Sequence, residues 1–221
     1  MRMVLASGNA HKVKEIAEMV GRAMPDVVVI GMKTFGDPPE IAETADTFAG
    51  NAALKAKGIA AWLKAQGGAD DAIVLADDSG ICIDAFDGGP GVYSARFAGP
   101  DATDAQNNQR MVDDLQAKGL EASPAHYACV LSLARVDGRK LPVPEAARVY
   151  DTDGTVCFEG HCIGEVRTQA RGEGGFGYDP HFWVDDRTIT FAELTPTAKA
   201  ARSHRGAAVY LMLNHLRELL D

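Results

Sequence analysis

The apolar run Ile73-Val74-Leu75-Ala76, which breaks at once into Asp77-Asp78-Ser79-Gly80, constrains this chain more than any other stretch. Consecutive apolar residues of this length read as a buried strand. A buried strand that ends on adjacent carboxylates sets their oxygens at the rim of a sheet, where ligands and reacting protons are met. Neighbouring side chains on a strand point to opposite faces, so Asp77 and Asp78 cannot converge as a glycosidase pair does. One can face a ligand while the other turns toward a supporting network. A plain turn uses the same residue types. The Gly88-Gly89-Pro90-Gly91 segment that follows favours a ligand, because rigid backbone without side chains allows close approach.

The flanking chain supplies elements to build around this strand. Residues 2–6 read as a short buried strand and Ser7-Gly8-Asn9 as a tight turn. A helix follows, with Val13, Ile16, Ala17, Val20 and Met24 at helical spacing and Asn9 as its N-cap. A second strand is expected at 27–30. Thr47 caps a helix that runs to Gly67-Gly68, and a third helix is expected over 103–118. Beyond it the pattern is mostly strand, at 127–136, 148–150, 155–158, 163–167, 182–184 and 188–191. A helix from Glu193 to Ala201 and another from 204 to 220, capped by Ser203, close the chain. Strands and helices alternate early and give way to strands later, which predicts an α/β fold with a mixed sheet and a central cleft. No repeat or linker divides residues 1–221, so one domain is expected.

The net charge of −9, from 22 Lys and Arg against 31 Asp and Glu, argues against broad nucleic-acid binding, which needs a basic face. No apolar run reaches the ~18 residues of a membrane span, and the N-terminus is too short for a signal peptide. A cytoplasmic protein is the expectation. The four cysteines, Cys82, Cys129, Cys157 and Cys162, fit no zinc spacing even with His126 and His161 nearby, and read as reduced structural thiols.

Two helix starts break the same rule. His11 and Lys12 lie in the first turn after Asn9, and Lys199, His204 and Arg205 cluster at a late helix start. The helix dipole disfavours cations there. A snorkelling side chain explains one such case; two suggest anions held at helix N-termini, with Lys12 reaching over a phosphate. The glycine-dense segment Phe176-Gly177-Tyr178-Asp179 fits either a tight turn with core anchors or an aromatic that stacks a base. Lys55 and Lys57 read as solvated helix-face lysines.

Taken together, SGNAHKVKEI (7–16), TFAGNAALKAKGIA (47–60), LADDSGICIDAFDGGPGVYSARFAG (75–99), GEGGFGYDPHFWV (172–184) and AELTPTAKAARSHRG (192–206) resemble the inosine triphosphate pyrophosphatase family of noncanonical purine nucleotides, nearly end to end and as a bacterial member. The resemblance implies a mixed α/β fold with a long curved central sheet, two lobes around an active-site cleft and a homodimer. It implies magnesium-dependent hydrolysis of ITP, dITP and XTP to the monophosphate and pyrophosphate. Carried over by motif, Ser7, Gly8, Asn9, Ala10, His11 and Lys12 form a triphosphate loop, and Ser79 contacts substrate. Asp78 is the general base and, with Glu43, a metal ligand. Phe176, Gly177, Tyr178 and Asp179 line the base pocket, with Phe176 stacking. Lys199, His204 and Arg205 contact the nucleotide, the last two at the 6-oxo edge.

One departure stands out: many relatives carry Glu where this chain has Gly50. The 137–153 excursion is also longer than in compact relatives. Two rivals remain open, a pyrophosphatase for other modified nucleotides and a non-catalytic nucleotide-binding module.

Overall fold

The structure, a computed structural model, describes residues 1–67 and 69–219. The strands are β1 (Arg2–Leu5), β2 (Val28–Gly31), β3 (Ile73–Ile83), β4 (Ala122–Arg135), β5 (Val149–Thr152), β6 (Thr155–Arg167), β7 (Phe182–Val184) and β8 (Ile189–Thr190). The helices are α1 (Ala10–Ala23), α2 (Phe48–Gln66), α3 (Asp104–Ala117), α4 (Pro196–Arg202) and α5 (His204–His215). The strands form one sheet in the order β2-β1-β3-β4-β6-β7-β8, with β5 paired to β6. β1 runs parallel to β2 and β3, whereas β5, β7 and β8 join by antiparallel pairing. The expected mixed α/β sheet is therefore what the chain forms. None of the described helices is long and apolar enough to cross a membrane.

The helix starts follow from local chemistry. Asn9 Oδ1 accepts from the backbone N–H groups of His11 and Lys12 at 3.0 and 3.2 Å. Thr47 Oγ1 accepts from Gly50 N at 3.1 Å, and Thr103 forms a capping box with Gln106. Each satisfies N–H groups that the first helical turn leaves without partners.

By its contacts the chain divides into two compact units, one of Met1–Asp78, Cys129–Gly160 and Arg205–Asp221, the other of Ser79–Ala128 and His161–His204. In the first, the strands sort their side chains by parity. Met3, Leu5, Ile73 and Leu75 join one core with Ile16 and Val20 of α1 and Val209 and Met212 of α5. Val4, Ala6, Val74 and Ala76 join another, with Ala56, Ile59 and Leu63 of α2. A strand covered on both faces has no polar face, which is why 73–76 reads as an unbroken apolar run. The second unit has its own core, in which Tyr127, Phe182 and Phe191 pack with Met111 and Leu115 of α3. Tyr127 and Phe182 meet edge to face with ring centroids 4.7 Å apart.

Several sequence expectations are corrected. β3 does not end at the aspartates but continues to Ile83, so Asp77 and Asp78 sit inside a strand. The expected strands 155–158 and 163–167 are one continuous β6. The late helix starts at Pro196 rather than Glu193, with Thr195 as cap. Lys199 then lies in the last turn of α4 and not at a helix start, a place where the dipole favours a cation. α2 ends at Gln66 with Gly67 as its C-cap, as expected, while Gly68 lies outside the described residues. The last helix is shorter than the expected 204–220: α5 stops at His215 and 216–219 form a turn, with Leu220 outside the described residues. All four cysteines are free thiols.

Candidate active site

The parity of β3 decides where each aspartate goes. Asp77 shares its face with Ile73 and Leu75 and so points toward α1 and α5. Its Oδ1 takes Lys12 Nζ at 2.5 Å, and its Oδ2 accepts from Arg205 Nε at 3.0 Å and Cys129 Sγ at 3.1 Å. Arg205 also donates from Nη1 to Glu15 at 2.7 Å. Burial alone would raise the Asp77 carboxyl, but Arg205 and then Lys12 hold it well below the usual range. Burial and the neighbouring Asp77 push the Cys129 thiol well up, so it stays protonated and donates.

Asp78 shares its face with Val74 and Ala76 and points toward α2. Lys55 Nζ lies 2.8 Å from Asp78 Oδ1 and 3.3 Å from Glu43 Oε1, bridging the two carboxylates. Asp78 Oδ2 is buried and has no hydrogen-bond partner among the described residues. Burial raises the Asp78 carboxyl against the opposing pull of Lys55 and Lys12, and the net shift is upward. Burial lowers Lys55, but Asp78 and Glu43 more than restore it, so the ammonium stays charged. A buried carboxylate oxygen left over in this way calls for a cation or a proton donor.

That oxygen is the observation that tests a metal. Among the described residues no three His, Cys, Asp or Glu side chains gather into a metal cage. Magnesium rarely uses one; it is held by one or two carboxylates together with substrate phosphates. Asp78 and Glu43 fit that requirement.

The remaining expected residues are placed as follows. Ser7 Oγ accepts from Asn9 N at 3.2 Å, and Gly8, Asn9, Ala10 and His11 are exposed at the start of α1. In the second unit, Ser79 is half-buried on β3. Asp179 Oδ2 accepts from Phe176 N at 2.9 Å and from Lys199 Nζ at 2.6 Å. That places the Lys199 ammonium 4.3 Å from the centre of the Phe176 ring, a cation–π contact. Gly175, at φ +75°, allows this close return, since a side chain there would strike the Asp179 carboxylate. Gly177 N donates to Asp104 at 2.6 Å, and the buried Tyr178 hydroxyl donates to Ser94 O at 2.8 Å. The His204 ring is buried and stacks on Tyr127 with centroids 4.5 Å apart.

The structure thus gathers Lys12, Glu43 and Arg205 around Asp77 and Asp78, and Phe176, Asp179 and Lys199 around one loop. Arg205 meets carboxylates, and Tyr178 meets backbone. Lys55, expected from the sequence to be a solvated helix-face lysine, instead joins the cluster at Asp78 and Glu43. A signal was present, because Ala52, Ala56 and Ile59 are buried and Lys55 shares their helical phase. Gly50 also has a reason. A side chain there would run into the Cβ of Ala45, whose backbone N–H is held by Asn51 Oδ1 at 2.9 Å.

The sequence profile of the Ham1 family matches residues 3–215. The chain belongs to the Ham1 family. Similar Ham1 relatives include dITP/XTP pyrophosphatase of Geobacillus kaustophilus, 40% identical over 94% of this chain and 90% of the relative. Another is dITP/XTP pyrophosphatase of Exiguobacterium sibiricum, 41% identical over 95% of this chain and 93% of the relative. Among solved structures, a HAM1 protein from Coxiella burnetii superposes with a TM-score of 0.80 at 35% identity, covering 99% of both chains. The names of the first two relatives agree with the pyrophosphatase class that the five sequence segments imply.

Proposed function

We propose that this chain hydrolyses the deaminated purine nucleotides ITP, dITP and XTP to the nucleoside monophosphate and pyrophosphate. The observation that carries the reading is Asp78, a buried carboxylate with one oxygen on Lys55 and the other without a hydrogen bond among the described residues. Family membership with relatives named as dITP/XTP pyrophosphatases supports the substrate class.

Asp78 Oδ2 takes a proton from water, whose oxygen attacks the α-phosphorus. The bond from that phosphorus to the bridging oxygen breaks, and the electron pair leaves with pyrophosphate. Lys55 and Lys12 stand beside the two aspartates and offset the charge that builds on the phosphate oxygens. Magnesium, held by Asp78 and Glu43 when bound, supplies further charge neutralisation. Asp77 serves as the anchor that fixes Lys12 and the strand from the other face. In this reading Phe176 stacks the base, and Asp179 and Lys199 hold that ring in place. His204 is the residue we assign to the 6-oxo edge. The motif resemblance further supports a homodimer and a cytoplasmic setting.

A pyrophosphate-release assay over ITP, dITP, XTP, ATP, GTP and modified pyrimidine triphosphates, with and without magnesium, tests this. A site that hydrogen-bonds a 6-oxo group and rejects a 6-amino group favours ITP over ATP by about 100-fold or more. Equal rates across the panel overturn the substrate assignment. Nucleotide binding with no magnesium-dependent turnover overturns the enzyme assignment and leaves a binding module.

A further inference from the structure

The 137–153 excursion builds a feature that the reaction above does not use. A cavity of about 340 Å³ opens between α2 and the end of β4, and its lining includes Lys57, Lys64, Arg135, Arg139 and Lys140. The pattern follows from helical spacing. Lys57 and Lys64 lie two turns apart on α2, with Ala60 and Ala61 between them, so the four share one face. Lys55, two residues before Lys57, lies about 200° around the helix and serves Asp78 instead. The cavity shares no residue with the Asp77–Asp78 cluster.

The contacts these cations make leave most of their charge uncompensated. Lys57 Nζ donates to the Asp153 carbonyl at 3.0 Å and Lys64 Nζ to the Asp137 carbonyl at 3.4 Å, both backbone oxygens. Arg135 and Arg139 share one carboxylate, Asp137, at 2.7 Å each. Lys140 makes no side-chain hydrogen bond or ion pair among the described residues. Asp153 is the one acid in the lining. Five cations against the carboxylates of Asp137 and Asp153 leave a positive site on a chain whose net charge is −9. Such a local field concentrates anions.

The floor narrows the ligand. Leu133, Val136 and Leu141 line it with the two alanines, an apolar surface that a bare phosphate would not use. A volume at the lower end of the small-molecule range, roughly 300–1,000 Å³, suits a mononucleotide. We propose that this cavity is a second, non-catalytic site for an organic phosphate of nucleotide size, whose anionic head meets the cations and whose body covers the apolar floor.

Isothermal titration of the full chain with ADP, without divalent ions, tests it. Lys64→Gln/Arg139→Gln/Lys140→Gln changes three exposed side chains outside the reaction machinery. The expected result is that this variant binds one ADP equivalent fewer than the unaltered chain, with melting temperature and ITP turnover unchanged. Inorganic pyrophosphate is expected to compete for that equivalent at least tenfold more weakly than ADP. The same ADP stoichiometry and affinity in both proteins overturns the site; pyrophosphate as tight as ADP overturns the organic class. If the triple variant melts early, Lys140→Glu alone, which removes no contact of the fold, is expected to weaken the same equivalent at least threefold. Unchanged affinity there overturns the site as well.

Discussion

Asp77 and Asp78 are neighbours in sequence and both are buried, yet the two faces of β3 treat them differently. On the face toward α1 and α5, Asp77 has Lys12, Arg205 and Cys129, which together use both of its oxygens. On the face toward α2, Asp78 has Lys55 on one oxygen and, among the described residues, no hydrogen bond on the other. Burial raises the cost of a carboxylate charge on both faces. What differs is compensation: two cations and a thiol hold Asp77 ionised, whereas Asp78 is left with its carboxyl raised. A saturated buried charge is an anchor that fixes its neighbours. An unsaturated one is poised to take up a proton or a cation.

The strongest way to break this comparison is to neutralise each aspartate in turn. Asp78→Asn is expected to lower turnover of ITP about 1,000-fold, within the range of a lost general base. Stability is expected to hold or rise, since the charge removed is the one left short of partners. Near-normal turnover in that variant removes Asp78 from the base role. If Asp77→Asn instead abolished turnover while leaving the fold intact, the two faces would have to exchange roles.

Arg205→Met presses on the anchor side. Leaving Asp77 buried with its main counter-charge gone is expected to cost about 3–5 kcal/mol in denaturant unfolding, the usual result of breaking a buried pair from one side. Adding Asp77→Asn is expected to recover part of that loss, because the orphaned charge goes with it. A stability change below about 1 kcal/mol in the single variant would mean that Lys12 and Cys129 carry the compensation alone.

How much of this was legible depends on the range of the contacts involved. The strand at 73–76, the Asn9 and Thr47 caps and the mixed sheet were readable because they rest on local chemistry and periodicity. So was the opposite facing of the two aspartates. The continuation of β3 through them was not. Acids inside a strand look like a strand end unless their partners are known, and those partners come from residues 12, 55, 129 and 205. The same limit hid the role of Arg205, read as a base contact but bonded to Asp77 and Glu15. β6 was split at 159–162 because Glu159 and Gly160 resemble a turn, whereas Tyr150 of the paired strand holds Glu159 through its hydroxyl at 2.8 Å.

Lys55 sharpens the comparison from the Asp78 side. It shares a helix with Lys57, so the pair is its own control. Lys55→Ala removes a charge-assisted bond worth about 1.5–3 kcal/mol, and turnover of ITP is expected to fall by about 10- to 100-fold, corresponding to that range. Lys57→Ala, on the opposite face, is expected to leave turnover within twofold. Similar losses in both would mean that general electrostatics, not the Asp78 contact, sets the rate.

The smallest effect tests whether incomplete compensation of burial shifts a group elsewhere in the fold. His181 is buried, and one ring nitrogen, Nδ1, lies 2.8 Å from the Arg167 carbonyl oxygen. Burial lowers its imidazole pKa below 6.5, and the single carbonyl only partly opposes that. The folded chain therefore binds a proton less readily than the unfolded chain. Stability from this residue is complete above the unfolded value, near 6.5, and falls as pH drops toward the lower folded value, because the unfolded state then holds more protons. Urea unfolding between pH 7.5 and 5 is expected to show this loss. His181→Gln, which keeps a donor for the carbonyl and cannot titrate, is expected to flatten that part of the curve. If the slope is the same in both proteins, burial at His181 is already compensated, and partner count alone no longer separates anchors from poised groups.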